Sequence, residues 1–369
     1  MNLDYSELEK EIKQELRRLL EHVCSRQRVR AALDGDAGVA DELTVELARQ
    51  GWLAASLPAE YGGQGLGYSA LAAISEELGR ALAPCGFGSS MFIVAEALLL
   101  HGSEEQKRTY LPRLANGSAQ GAFAVSEGRG PLGERGIQAH WEAGKIRGTK
   151  VAVADGLTGN LALVVATTDA GLRLFLVDLN DPAVERAPQS SLDPTRPLAR
   201  LTFRDTPAMP LGKHAGWAHV EQLLERAAVL YSFEQIGAAD SALEMACNYA
   251  KTRYAFGQPI GTFQGIKHKL ADVWIANELA RSNAYYAVAA LARGAADLPL
   301  AAAVARVSAC EALERAAREN IQTHGGVAAT WGNDCHLYYR RARHLGACVG
   351  SVTQWRERTA RLLLAERAA

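Results

Sequence analysis

The stretch Arg253-Tyr254-Ala255-Phe256-Gly257-Gln258-Pro259-Ile260-Gly261-Thr262-Phe263-Gln264 gathers an Arg, a Phe, a permissive Gly and a Gln between two long apolar segments. That set suits an anionic, partly aromatic ligand. A guanidinium forks onto phosphate, a phenyl ring stacks on or covers another ring, and a carboxamide both donates and accepts. The same residues also make an ordinary helix–helix turn, in which Gly257 ends one helix, Pro259 prevents its continuation and Arg253 is solvated. A second chemical string, Gly128-Arg129-Gly130-Pro131-Leu132-Gly133, satisfies G-x-G-x-x-G literally. A dinucleotide fingerprint must open a helix so that free N–H groups meet a pyrophosphate. Pro131 removes one such donor and the residues that follow alternate as strands do, so a Rossmann site is rejected.

The elements that must position these residues fall into three spans. Residues 1–118 read as helices: Leu8, Ile12, Leu16, Leu19 and Leu20 recur at helical spacing, as do Leu43, Val45, Leu47 and Leu53. A Gly-rich loop at 62–67 punctuates them. Across 119–212 the period changes. Leu161 to Thr167 and Leu172 to Leu179 are short, β-branched and bounded by turn residues, and Ala139 to Lys145 reads as a hairpin. Pro182, Pro188, Pro194 and Pro197 fall in the connections. Across 213–369 long Ala-rich helices return, joined by short Gly-containing turns at 293–298 and 325–333 that suit an antiparallel bundle.

A chain of 369 residues exceeds one typical core, so subdomains are expected. Its 48% hydrophobic and 22% charged residues are those of a globular protein. A net charge of −1 argues against a nucleic-acid surface. No apolar run approaches the roughly 20 residues of a membrane span, and the charged first 30 residues do not read as a secretory signal. Cys24, Cys85, Cys247, Cys310, Cys335 and Cys348 form no C-x-x-C pair, which fits free thiols in a reducing cytoplasm better than disulfides or a metal site.

In order and spacing, several strings together resemble the acyl-CoA dehydrogenase family. They include Gly51-Trp52-Leu53, Leu57 to Gly67, Glu76-Glu77-Leu78-Gly79-Arg80, Gly102 to Lys107, Tyr110-Leu111-Pro112, Ser126-Glu127, the 253–264 stretch and Gln322-Thr323-His324-Gly325-Gly326. The resemblance implies an α+β fold: an N-terminal helical domain, a central β-barrel or sandwich and a C-terminal four-helix bundle. It also implies FAD, an acyl-CoA thioester desaturated between its α and β carbons, and an electron-transfer flavoprotein as acceptor. In such enzymes a carboxylate takes the α proton and the β hydrogen leaves as hydride to the flavin. The FAD-binding residues carried over are Arg253, Phe256, Gln264, Gln322, Gly325, Gly326 and Ser126.

Three departures accompany the likeness. The family's usual base stands in a Tyr-Glu-Gly-Thr string, and the gapless alignment of Tyr339 to Ser351 puts Val349 at that Glu. The flavin-side loop, usually Thr-Glu-Pro-Gly-Ala-Gly-Ser-Asp, survives only as Ser126-Glu127. The strand usually reading Lys-x-aromatic-Ile-Thr is Lys150-Val151-Ala152-Val153-Ala154, without the ring or the hydroxyl. In the family the isoalloxazine is held mainly by one subunit, and the adenine and diphosphate largely by the dimer neighbour's C-terminal bundle. This chain keeps the second set and has lost much of the first. That division implies a heteromer with a homologous partner chain, as in bacterial dehydrogenases of bulky steroid side chains. The alternative is a homo-oligomer in which backbone N–H groups replace the lost side chains.

If the chain carries a base, Glu234 is the candidate. It shares an apolar helical stripe with Ala227, Leu230, Tyr231, Gly237 and Ala238, where lost water would raise a carboxyl's pKa. The bland alternative is a buried Glu paired with Arg or Lys. Small residues at Gly237, Ala238 and Ala239 hint at room for a bulky acyl group, and His268 and His324 are assigned no catalytic role. Two rivals to the dehydrogenase subunit remain: a catalytically silent scaffold, and a flavin oxidase or monooxygenase of the same fold.

Overall fold

The structure, a computed structural model, describes residues 5–213 and 215–368. Helices α1 (Glu7–Val23), α2 (Arg26–Leu33), α3 (Gly38–Arg49), α4 (Gly67–Ala81), α5 (Glu96–His101) and α6 (Glu104–Ala115) come first. A π-helical segment, Gly88–Ala95, runs into α5. Strands β1 (Gly121–Ala124), β2 (His140–Glu142), β3 (Lys145–Ala154), β4 (Leu161–Thr168), β5 (Gly171–Asp178), β6 (Val184–Gln189), β7 (Leu198–Pro207) and β8 (Met209–Pro210) follow. Then come α7 (Trp217–Thr252), the short strands β9 (Tyr254–Ala255) and β10 (Gln258–Pro259), and α8 (Gln264–Arg293). Helices α9 (Leu298–His324), α10 (Cys335–Leu345) and α11 (Val352–Ala368) complete the chain. This is the expected order of helices, a β domain and a helical bundle.

By their contacts these elements form two compact units, so the helices before residue 118 are divided between them. One unit takes the chain up to Arg30, Tyr68–Ala83 and everything from Ala228; the other takes Ala31–Gly67 and Pro84–Ala227.

In the first unit, α1 is opened by a capping box between Ser6 and Glu9 and buries Ile12, Leu16 and Leu20. Leu8, which the spacing placed on that stripe, is 51% exposed. Helix α4 buries every residue from Ala70 to Gly79, the carboxylates of Glu76 and Glu77 among them. Such charges need partners. Glu76 accepts from Tyr5 Oη at 2.6 Å, Lys13 Nζ at 2.6 Å and Arg281 Nη1 at 2.8 Å. Glu77 takes both nitrogens of Arg17, at 2.8 and 2.7 Å. Burial opposes ionisation of Glu76, yet Lys13 and Arg281 hold its carboxyl below the usual range. Arg281 also pairs with Asp240, whose own carboxyl burial raises.

Helices α4 and α7 cross with backbones in contact. A Cβ on Gly79 would stand 1.9 Å from the Glu234 carbonyl oxygen, and one on Gly237 1.8 Å from that of Glu76. Gly237 is therefore part of a helix crossing, and the room it hinted at is filled by α4.

In the second unit the eight-stranded sheet runs β6-β7-β3-β2-β4-β5-β8, with β1 beside β4 in parallel. The expected hairpin joins β2 to β3 through Ala143 (φ 48°) and Gly144 (φ 86°), with Glu142 opposite Lys145. A two-residue turn with both φ values positive matches the strand twist. Ile146, Val164, Phe175, Leu201 and Phe203 fill the core, and Trp141 stacks on Phe175 at 5.4 Å. The glycine motif at 128–133 opens no helix; a 3-10 turn, Glu134–Gly136, and then β2 follow it. All six cysteines are free. Among the described residues no helix is long and apolar enough to cross a membrane.

A methyl group at the crossing must push one helix off the other. Gly237→Ala should cost about 1–3 kcal/mol of stability or more, read as a lowered midpoint in urea; an unchanged midpoint would mean that the helices part freely.

Candidate active site

The first candidate cluster lies where α7 stops. The helix ends at Thr252, and Tyr254–Ala255 pairs back on Gln258–Pro259 in a minimal hairpin, closed by Ile260 N donating to Arg253 O at 2.8 Å. Its two turn residues are Phe256 (φ 51°) and Gly257 (φ 80°). Gly257 thus sits in a hairpin turn five residues past the helix, and it does not end it. A non-glycine residue at positive φ is strained, and here the strain lifts the Phe256 ring into solvent, 96% exposed and edge-on to Phe263 at 6.3 Å. Arg253 and Gln264 are exposed as well.

Gln322 is an exposed residue in the last turn of α9, which closes at Gly325 (φ 63°); Gly326 follows in a 3-10 turn. His324 is buried, stacked on Tyr249 at 4.0 Å and hydrogen-bonded through Nδ1 to Asn320 O, while His268 is exposed. Among the described residues the side chains of Arg253, Gln264 and Gln322 have no protein partner. Arg253 and Gln264, unengaged and close in the chain to a bared ring, fit the adenine and diphosphate half of FAD.

The second cluster lies on the sheet. Ser126 is half-buried, its hydroxyl donating to Gly128 O at 3.3 Å and its carbonyl accepting from Val151 N at 2.8 Å. Strand β3 bulges between Lys150 and Val153, putting Ala152 at φ 52° with its N–H donated to Gln189 Oε1 at 2.6 Å. Lys150 is fully buried; desolvation brings its ammonium down to about 8 against the pull of Glu127, 2.5 Å away. Both residues stand in the strings named above, but no pattern announces the pairing of positions 23 apart in the chain. This face offers an isoalloxazine neither a ring nor a hydroxyl at 152 and 154, and fits that half of FAD less well.

The base positions come third. Val349 is 1% exposed in the turn between α10 and α11, its carbonyl accepting from the Trp355 indole at 3.1 Å. Glu234 is buried on α7 with Oε1 3.5 Å from Arg341 Nη1. The same guanidinium donates to the carbonyls of Leu82 and Ala83 at 3.0 and 3.2 Å, beyond the end of α4. Glu234 therefore serves a cation that caps that helix end.

Comparison with known proteins agrees with the fold. The profile described as "Acyl-CoA dehydrogenase, N-terminal domain" matches residues 6–118, and "Acyl-CoA dehydrogenase, C-terminal domain" matches 214–364. "Acyl-CoA dehydrogenase IpdE2" of Mycobacterium tuberculosis is 37% identical over 316 residues, 85% of this chain and 84% of that protein. A solved variant of the Tcur3481-Tcur3483 steroid ACAD superposes with a TM-score of 0.89 at 30% identity, over 98% of this chain and 99% of its own. The ChsE4-ChsE5 complex from Mycobacterium tuberculosis gives 0.89 at 25% identity, over 99% of both chains.

Removing the Glu234 carboxylate takes a buried counter-charge from Arg341. Glu234→Ala should lower stability by about 3–5 kcal/mol, the usual consequence of breaking a buried pair from one side; a melting point equal to that of the parent protein would dismiss the pairing.

Proposed function

Because the chain belongs to the acyl-CoA dehydrogenase family of FAD-dependent oxidoreductases, we propose that it works as one subunit of a heteromer. It grips the adenine and diphosphate half of FAD and leaves the flavin face and the base to a homologous partner chain. The observation that carries this reading is the unequal state of the two halves. Arg253, Gln264 and Gln322 stand exposed and unengaged among the described residues, whereas Ala152, Ala154 and Val349 have nothing to offer a flavin ring or an α proton. Arg253 would meet the diphosphate, Phe256 would cover an aromatic ring, Gln264 and Gln322 would donate and accept, and Gly325 and Gly326 would admit close backbone approach. Ser126 would offer its backbone from the sheet. When bound, FAD supplies the redox step, taking the hydride that leaves the β carbon.

A homo-oligomer would need free backbone N–H groups in place of the lost side chains, and that of Ala152 is already given to Gln189. Trp274, Ile275, Leu279 and Tyr286 stand exposed on α8, as a face covered by assembly would. The relatives named for a steroid ACAD and for a two-component complex support a bulky acyl-CoA substrate and a mixed assembly. An electron-transfer flavoprotein as acceptor and a cytoplasmic setting complete the proposal.

The chain purified without a partner should hold little FAD and become stoichiometrically yellow only with the homologous chain; full occupancy in a homomer would end the heteromer reading. In the assembled protein, Arg253→Ala should remove a charge-assisted contact of about 1.5–3 kcal/mol, weakening FAD roughly ten- to a hundredfold. Unaltered FAD affinity would make Arg253 a solvated turn residue. Glu234→Gln should lower the melting point and leave flavin bleaching by acyl-CoA nearly intact. Bleaching slowed by about 10²-fold at full flavin content would instead identify Glu234 as the base.

A further inference from the structure

Between α9 and α11, both in the first unit, the surface opens into a groove of about 350 Å³. Val304 and Val307 line it from α9, and Ala360 and Leu363 from α11. Its polar residues are engaged close to home. The Ser308 hydroxyl donates to Val304 O at 2.9 Å and takes the Asn283 amide at 3.2 Å, and Thr359 donates to Trp355 O at 2.9 Å. Arg356 and Glu311 pair with each other at 2.7 Å. Such a lining offers few free groups to a polar ligand and holds apolar surface against water. Beside it α11 projects two leucines, Leu363 at 45% and Leu364 at 66% exposure. The groove shares no residue with the exposed α8 face or the 253–264 hairpin, so whatever covers it is additional to the FAD grip.

The charges on α11 indicate the cover. Glu357, Arg361 and Leu364 stand at i, i+4 and i+7, one exposed stripe beside the groove. Among the described residues neither Glu357 nor Arg361 has a partner. Midway between them in the chain is Thr359, which lines the groove. A two-fold axis at that level lays a second α11 antiparallel on the first. It sets each Glu357 against the other copy's Arg361, twice over, and turns the leucines of each copy toward the groove of the other. A parallel neighbour would set like charge against like. We propose that the α9–α11 groove is the surface on which a second copy of this chain docks, α11 against α11. The contact does not depend on the FAD grip; joined to the heteromer reading, it makes an assembly with two copies of this subunit.

The test uses the full chain purified with its homologous partner, with mass read by light scattering over a dilution series and FAD by absorbance. The parent assembly should contain two copies of this chain. Leu363→Glu puts a carboxylate in each apolar groove and should halve the mass while FAD per copy is unchanged. Glu357→Arg and Arg361→Glu, each alone, turn two attractions into two repulsions and should raise the concentration at which the assembly halves by about tenfold. The variant carrying both swaps should return to the parent value, because the two-fold exchanges the two positions. These swaps lie wholly on the surface and keep the test open should Leu363→Glu fold poorly. A parent with one copy, or a Leu363→Glu assembly of parental mass, refutes the groove as an interface. Swaps that loosen the assembly singly and fail to restore it together mean that a different surface covers the groove, and the second copy is then refuted. Should the chain form no heteromer, the same masses are read on the chain alone, so that reading can fail without taking this interface with it.

Discussion

Two adjacent carboxylates in the middle of a buried helix constrain the first unit more than any apolar contact does. Glu76 and Glu77 lie on α4 among alanines, leucines and glycine, where an unpaired charge would be intolerable. Their partners arrive from α1, as Lys13 and Arg17, and from α8, as Arg281, so three helices distant in sequence must converge there. The glycine contacts between α4 and α7 belong to the same arrangement: only backbones that touch at Gly79 and Gly237 leave α7 where Asp240 can share Arg281. Buried ion pairs add little net stability against apolar replacements, but a broken one is severe. They act as register pins for the helices.

The same logic recurs on a smaller scale at each candidate site. Arg341 with Glu234 holds the end of α4, and Lys150 with Glu127 holds the loop on the sheet. A third buried pair, Arg196 with Asp155, sits just past the bulge of β3, where Asp155 itself is at φ 58° and its carboxylate also accepts from Ser89. These three pairs hold irregular backbone, while the unengaged charge of Arg253 stands in the open.

Much of this was legible in the sequence. Helical and alternating periodicities marked the three spans, the Ala143-Gly144 hairpin was visible as a turn, and the missing helix after Gly133 disposed of a false motif. Local pattern could do this because those features are set by neighbours in sequence. The remainder depends on pairs far apart. Nothing in the 252–258 stretch tells a helix-ending glycine from one in a hairpin turn. The spacing of Glu234 puts it on an apolar stripe without revealing Arg341, 107 residues later. Leu8 and Val45 follow their helical repeats and still face solvent, because the period describes a face and packing decides how far it is covered.

Val349 shows how a turn can close a position to charge. Its side chain is 1% exposed, and its carbonyl holds the indole of Trp355 at the start of α11. A glutamate written at this position would bury an anion in a turn packed around a hydrocarbon and anchored by its own backbone. One substitution is therefore not enough to place a carboxylate here, since the helix start that leans on this carbonyl would have to shift with it.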